Sequence, residues 1–527
     1  GRYERSNNTG YEWNSDFLLT YQRSFSEDWS VDLNFGGSLK KERNNVISAN
    51  TGDGLIVPNF FALSNTQKVE ASENIGAPRN VQSLYGFATV GFMDEAINLD
   101  LSGRNDWSST LPKGNRSYFY PSVGLSVILS DLMPSFPDWI TLAKIRGSYA
   151  EVGNDAAPFN LQRTATLTAG GYNGFITLSS TIPNEDLVPE RTKSLELGAN
   201  VGLFNNRLAL DVSWYKTNSV NQLFSVALPV GSGASQFFTN GGNVQNKGIE
   251  ATLRGTPVET ANFSWDVTLN FSHNQSLVKE INDERPSLEI ASDFLREFRI
   301  EQGEEWGNVY SRGFERDKQG RVIVDENGIP KLTDGMSVQV ANYNPDWLGG
   351  ITSTLNYKNF NMSFLVNIRK GGTVSSLTNA ILFADGQTKA TLKGRDGGLV
   401  FGEDVFAGET AVTESGETNN IETDAETFWN AIGGRNTPAG EAFVSEATNV
   451  RLQEVSVGYT IPSSTFSNLP IQRLNLSLIA RNLFFFYNAS DNFDPSTFTS
   501  TSKGAPGFES FNMPATRSYG LNIQLDF

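Results

Sequence analysis

The sequence contains no cysteine and a single histidine, His273. No disulfide can form and no thiolate is available for chemistry. One imidazole builds neither a histidine triad nor a multi-histidine metal site. There is no glycine-rich phosphate loop ending in Lys-Ser/Thr and no dinucleotide fingerprint. Long apolar runs are missing too: nowhere do about 18 consecutive apolar residues occur, so no membrane-spanning helix is expected. Positive charge is scarce, with 41 Lys and Arg against 58 Asp and Glu, a net charge of −17 that argues against nucleic acid as a partner. No cofactor is expected and no enzymatic constellation stands out.

Aromatics and glycine are plentiful by contrast: 36 Phe, 15 Tyr, 9 Trp and 49 Gly stand beside only 19% charged residues. They are dealt out one in two along short segments, the pattern of a lipid-facing side interleaved with a wet one. The carboxyl end is the clearest case. Tyr519, Leu521, Ile523, Leu525 and Phe527 alternate with Gly520, Asn522, Gln524 and Asp526, giving a strand with one apolar face and a terminal aromatic. A length of 527 residues exceeds one soluble core and suits several domains or one very large barrel.

Fifteen strand candidates follow one another. They run Phe17 to Tyr21, Trp29 to Phe35, Tyr85 to Phe92, Ile97 to Ser102, Val123 to Leu129, Leu142 to Tyr149, Ser194 to Leu203 and Leu208 to Tyr215. Ile249 to Leu253, Phe263 to Asn274, Ile351 to Tyr357, Phe360 to Arg369, Leu452 to Ile461, Leu474 to Phe486 and the terminal strand complete the set. Short turns such as Met93 to Ala96, Pro134/Pro137, Asn205-Asn206 and Lys358-Asn359 alternate with long stretches such as Lys41 to Arg79, Asn154 to Val188, Gln275 to Pro345, Gly371 to Ala447 and Tyr487 to Asn512. Outer-membrane barrels segregate short periplasmic turns from long surface loops in this way. The expected fold is therefore all-β, a transmembrane antiparallel β-barrel with long extracellular loops, in the bacterial outer membrane. Because such barrels close with an even number of strands, Gly1 to Arg5 is read as the stub of a sixteenth, or else upstream chain completes the barrel.

Several runs resemble one family in combination: Ser102 to Ser126 (SGRNDWSSTLPKGNRSYFYPSVGLS), Lys144 to Asp155 (KIRGSYAEVGND), Leu187 to Gly198 (LVPERTKSLELG) and Asn246 to Glu250 (NKGIE). Asn344 to Gly350 (NPDWLGG), Arg369 to Gly372 (RKGG) and Asp494-Pro495 add to them. They resemble the SusC/RagA group of TonB-dependent outer-membrane transporters of Bacteroidetes. The resemblance implies a barrel of about 22 strands, an internal plug, a TonB-contacting segment and a SusD-like surface lipoprotein over the outer mouth. On that reading, residues 1–527 are the carboxy-terminal part of the barrel, with plug, TonB box and about seven strands upstream. The implied function is uptake of a bulky nutrient, an oligosaccharide or a peptide. The alternative is a barrel that serves as a structural or assembly subunit.

Individual motifs have a bland and a sharp reading. Phe484, Phe485, Phe486 and Tyr487 suit an aromatic girdle against outer-membrane lipid, or a ligand-stacking platform. Lys144, Arg146 and Ser148 share one parity and suit a lumen wall. From Arg395 to Arg435 there are nine carboxylates and no intervening Lys or Arg, which reads as a solvated surface loop; Phe428 and Trp429 just after them suit the apolar anchor of a partner-docking loop. His273 falls at an interfacial strand end. Asp317 to Gly320 and Asp325 to Gly328 read as two tight turns of a small hairpin rather than a calcium loop.

Overall fold

The computed structural model describes all residues except 77, 134, 169–173, 229, 282–285, 437, 467–470, 491–492 and 497–506. Pro134 of the expected Pro134/Pro137 turn, and parts of the stretches from Asn154, Gln275 and Tyr487, lie outside the described residues. Fifteen long strands carry the architecture, one for each of the fifteen expected segments, although Leu129 and Phe527 fall one residue past the ends of theirs. The first eight are β1 (Glu4–Ser24), β2 (Trp29–Thr51), β3 (Arg79–Phe92), β4 (Ile97–Ser108), β5 (Ser117–Ile128), β6 (Ile140–Asn154), β7 (Glu190–Leu203) and β8 (Leu208–Ala227). Then come β9 (Gln236–Glu259), β10 (Phe263–Glu280), β11 (Trp347–Tyr357), β12 (Phe360–Lys370), β13 (Asn449–Ile461), β14 (Arg473–Asn488) and β15 (Ser518–Asp526). With the short strands Val69–Ile75 and Thr181–Ile182 they belong to a 17-stranded sheet. Among the described residues no helix is long and apolar enough to cross a membrane.

The chain divides into two compact units. In the first, Gly1–Pro134 with Lys144–Leu197 and Lys216–Asn243, antiparallel ladders join β1 to β2, β2 to β3, β3 to β4 and β4 to β5. The apolar parity stays on one face throughout: Leu19 stands opposite Phe35, and Leu101 opposite Val123. These side chains remain exposed, Leu19 at 66% and Leu101 at 43%, which is what a wall turned toward lipid requires. The other face is polar, as where Thr89 donates to Asp100 at 2.7 Å and Ser102 meets Ser122 at 2.6 Å.

In the second unit, Ser135–Ala143 with Gly198–Tyr215 and Val244–Phe527, β10 pairs with β11, β11 with β12, β12 with β13, β13 with β14 and β14 with β15. The terminal strand pairs along Arg473 to Arg481 and ends at Asp526. Its predicted apolar face stands out: Tyr519, Leu521, Ile523, Leu525 and Phe527 are 42 to 74% exposed.

Three expectations are corrected. Residues 41 to 51 are not loop, because β2 runs on to Thr51, paired with β1 from Ser24↔Ser30 up to Glu4↔Asn50. About 9 to 11 strand residues cross a membrane, and β1 has 21. Beyond the bilayer a ladder persists on backbone hydrogen bonds alone, so alternation marks only the lipid-facing part. For the same reason Glu4 and Arg5 belong to β1 and are no stub of another strand. Finally, the stretches Gln275 to Pro345 and Gly371 to Ala447 are largely folded, as the next subsection describes.

Candidate functional site

On the polar face of the first unit, side chains from β1 to β6 meet in a charged cluster. Lys40 Nζ lies 3.2 Å from Glu12 and 2.9 Å from Glu42. Glu42 in turn accepts from Arg79 at 2.8 Å. Arg79 closes a two-pronged pair on Asp155, at 3.0 and 2.6 Å. The Asp155 side chain is buried to 4% exposure and also accepts from Ser108 and, at 3.1 Å, from Thr110. These partners come from the start of β3, the end of β4 and the turn just after it, and the carboxylate clamps the start of the stretch 155–189 onto them. Nearby, Asp106 accepts from Arg104 at 2.7 Å and from the Tyr120 hydroxyl at 2.7 Å, while Arg104 also donates to Ser83 at 2.8 Å. Lys144, Arg146 and Ser148 sit on this polar face, opposite Ile128, Ser126 and Gly124, while Ile145 and Tyr149 of the other parity are exposed among apolar neighbours. Arg146 Nε lies 3.9 Å from Glu196.

In the second unit the two longest connections fold together. A four-stranded sheet is built from Ser287–Ser292, Glu297–Glu301, Asn308–Ser311 and Val338–Asn342. Val322–Val324 of the earlier connection pairs in parallel with Ala411–Thr413 of the later one. Asp317 and Asp325 each close a tight turn ending at Gly320 and Gly328, whose φ of +82° and +75° suits glycine, so the hairpin reading of this segment holds. Two helices follow, α1 (Leu377–Ala384) and α2 (Ala425–Ile432). In α2, Ala425, Phe428, Trp429 and Ile432 recur at helical spacing and enter a common core with Phe314, Val322, Leu399, Phe401 and Phe443. Arg316 fastens the surface, reaching Glu409 at 2.6 Å and Glu441 at 2.6 Å; these hydrogen-bonded carboxylates hold its guanidinium above the ordinary value. Arg296 is 2% exposed beneath the Phe508 ring, and burial lowers its guanidinium below the ordinary value.

Phe428 and Trp429 are therefore not docking anchors. They are 0% and 4% exposed, because their area is consumed by the core of this loop body. Nor is the acidic stretch a slack loop: Asp404 pairs with Lys393, Glu409 with Arg316 and Glu414 with Lys331. Glu417, Glu422 and Glu426 stay on the outside.

The aromatic run on β14 divides between faces. Phe484 and Phe486 are exposed and meet edge to face at 5.0 Å between centroids, with Tyr487 exposed beside them. Phe485 turns the other way, beneath Arg451 at 4.1 Å, and Arg451 is ion-paired with Asp494. His273 Nδ1 lies 2.5 Å from the Asp346 carbonyl; it falls within β10, which runs on to Glu280, and not at the expected strand end. Among the described residues no group of three His, Cys, Asp or Glu side chains is arranged to hold a metal. The Asp155 clamp was missed from sequence although Asp106, Ser108 and Asp155 all lie in runs that carried the resemblance; nothing in a linear pattern says that they converge.

Comparison with known proteins fits this geometry. Residues 1–431 match the family model described as TonB dependent receptor-like, beta-barrel. The chain is 25% identical to TonB-dependent receptor P26 of Formosa agariphila over 97% of its own length and 53% of that protein. It is 24% identical to TonB-dependent receptor SusC of Bacteroides thetaiotaomicron over 68% of its length and 35% of SusC. Among solved structures, the RagAB peptide transporter superposes with a TM-score of 0.77 at 20% identity, over 99% of this chain and 56% of that one. The chain thus spans about half the length of the P26 receptor and of the solved transporter chain.

Proposed function

Because this chain belongs to the TonB dependent receptor-like β-barrel family of the outer membrane, we propose that it forms the carboxy-terminal barrel of a SusC/RagA-type importer. The imported nutrient is bulky, an oligosaccharide or a peptide, taken up together with a SusD-like surface lipoprotein. The remaining polypeptide supplies the other strands, the plug and the segment that contacts TonB, through which energy arrives from the inner membrane. Lys144, Arg146 and Ser148 line the lumen, where their polar parity suits contact with a plug or a passing solute.

The observation that supports this reading most is the loop body. Connections that only link strands need no core, whereas Gln275 to Pro345 and Gly371 to Ala447 share one, with Phe428 and Ile432 fully buried. A rigid body built from loops offers a fixed surface for ligand or lid at low ordering cost. Its shell, with Glu417, Glu422 and Glu426 exposed, suits a basic partner face.

The test is growth of the native organism on single peptides and oligosaccharides, with the full-length protein intact or lacking residues 373–446. Loss of growth on at least one such nutrient, with the barrel still heat-modifiable in gels, supports import through this body. A full deletion of the protein that leaves growth on every nutrient unchanged would move the assembly-subunit alternative to first place.

A further inference from the structure

The stretch 155–189, clamped at its start by Asp155, carries a hairpin that the strand wall does not use. Ala165–Thr168 and Phe175–Leu178 pair antiparallel into a sheet of two strands, and among the described residues no third strand joins either edge. The base of this hairpin is fastened to the barrel. Arg163 donates to the Ser179 carbonyl at 3.0 Å and to the Gly233 carbonyl at 3.0 Å, and Thr181–Ile182 pairs in parallel with Gln236–Phe237 of β9. Beyond that base the hairpin stands alone, and two strands alone are marginal in water until a third strand or a covering surface is added.

Register sorts its side chains. Ala165 stands opposite Leu178 and Leu167 opposite Ile176, so one face is wholly apolar, while Thr166 and Thr177 meet on the other. Leu167, Ile176 and Leu178 are 71%, 75% and 54% exposed. The same register sorts the backbone. The Ser179 N–H donates to the Thr164 carbonyl at 2.8 Å, which makes 164/179 and 166/177 the hydrogen-bonded pairs. The N–H and C=O of Leu167 therefore point outward along one edge, and those of Ile176 and Leu178 along the other. From Thr164 to Asn184 no side chain is charged, in a chain that is 19% charged, so the edges lack the charges that usually guard them.

These features select the occupant. Free N–H and C=O groups at strand spacing are matched by another polypeptide backbone, whereas a sugar chain does not repeat them. The four apolar side chains fall well short of the ~800 Å² that each partner buries in a stable protein complex, so this face alone holds neither a second copy nor a folded lipoprotein. With no charge on the hairpin, backbone pairing and apolar contact supply the attraction. We propose that the hairpin captures an extended stretch of an imported peptide. The peptide adds as a third strand along Phe175–Leu178 and continues the apolar face beside Ile176 and Leu178. The inference rests on the import reading above and narrows its nutrient to a peptide.

The test is fluorescence anisotropy with the full-length protein in mild detergent. The probes are a labelled hexapeptide of alternating Val and Thr, the same peptide with every backbone nitrogen methylated, and labelled maltohexaose. Wild type binds the hexapeptide, and methylation, which removes the pairing N–H groups, weakens binding roughly tenfold. Ile176→Pro weakens it by a similar factor, since proline deletes an outward N–H while sparing the hairpin's own bonds. Ile176→Val keeps edge and apolar face and binds as wild type does; both variants keep heat-modifiable migration. No binding of the hexapeptide, equal binding of its methylated form, or maltohexaose bound by wild type and lost in Ile176→Pro would each overturn the proposal. So would hexapeptide binding unchanged in Ile176→Pro while that variant loses a second copy or the lipoprotein. Capture and growth are separate readouts. A full deletion that costs growth while wild type binds no hexapeptide keeps import and removes the hairpin, whereas binding with unchanged growth keeps the capture and removes import.

Discussion

The strand wall of the first unit and the loop body of the second are built from the same residue types with opposite polarity. In the wall, Leu19, Phe35, Leu101 and Leu125 face out, while Arg79, Asp155, Arg104 and Asp106 are paired on the inner face. In the loop body Phe401, Phe428 and Ile432 are inside, while Glu417, Glu422 and Glu426 are outside. The difference follows from the solvent. Lipid removes the penalty for exposed apolar area, so the wall is held by backbone ladders and a charged network. The loop body contacts water and is held by apolar burial. Each region should accordingly fail through a different kind of substitution.

The largest effect is expected in the loop body. Phe428→Ala empties a fully buried site and should cost about 4 kcal/mol. Limited proteolysis would then cut within 287–446, while the barrel keeps its heat-modifiable migration. Collapse of the barrel together with the body would show that the two do not fail separately. Asp155→Ala comes next, because it leaves Arg79 without its two-pronged partner, a loss of about 3 kcal/mol for a largely buried pair. Cleavage should rise in the stretch 155–189; an Asp155→Asn variant as loose as the alanine would assign the clamp to charge rather than to hydrogen bonding.

What was legible in the sequence follows the same division. Phe263, Trp265, Val267, Leu269 and Phe271 announce β10 because lipid demands alternation there, and all fifteen long strands were found in this way. Strand ends were not legible, since β2 beyond Lys41 is held by backbone ladders with β1 and with Val69–Ile75, which need no alternation of side chains. Nor was the loop body, whose core joins Val322 to Ala411 across 88 intervening positions and whose helix α2 spans only eight residues within an acidic stretch. Phe428 and Trp429 were noticed as apolar, but a local pattern cannot distinguish a ring kept for a partner from one used in a core. That Lys144, Arg146 and Ser148 share one face could be read from parity, because strand alternation is local, and the register sets them opposite Ile128, Ser126 and Gly124.

A sharper probe of the wall uses adjacent residues on opposite faces. Leu101 faces lipid in the row with Ala88 and Val123, whereas Ser102 faces the polar side and meets Ser122. Leu101→Arg should cost about 2 kcal/mol and Ser102→Arg about 0.5 kcal/mol or less, since charge is penalised only on the lipid face. Denaturant titration of the reconstituted full-length protein, followed by gel mobility, reads both. Equal costs would mean that the exposed apolar parity does not face lipid.

The smallest effect concerns the loop body alone and carries a sign in pH. Asp424 caps α2, accepting from the Thr427 backbone N–H at 2.9 Å and its hydroxyl at 3.0 Å, and these bonds hold its carboxyl below the ordinary value. Asp404 is lowered similarly, by the Val400 N–H first and then by Lys393. A carboxylate whose folded pKa lies below its unfolded one stabilises above the unfolded value, about 4, and loses that contribution as pH falls through the folded one. Hydrogen exchange of the α2 amides, corrected for intrinsic rate, should therefore quicken below about pH 4. Asp424→Ala should quicken it modestly at neutral pH and flatten the acid limb, and Asp424→Asn should restore the neutral-pH rate while keeping the limb flat, because the amide still caps but does not titrate. An alanine variant that keeps the wild-type pH profile would remove Asp424 from the account. The acid limb would then belong to other carboxylates of the loop body, with Asp404 and its Lys393 pair first in line.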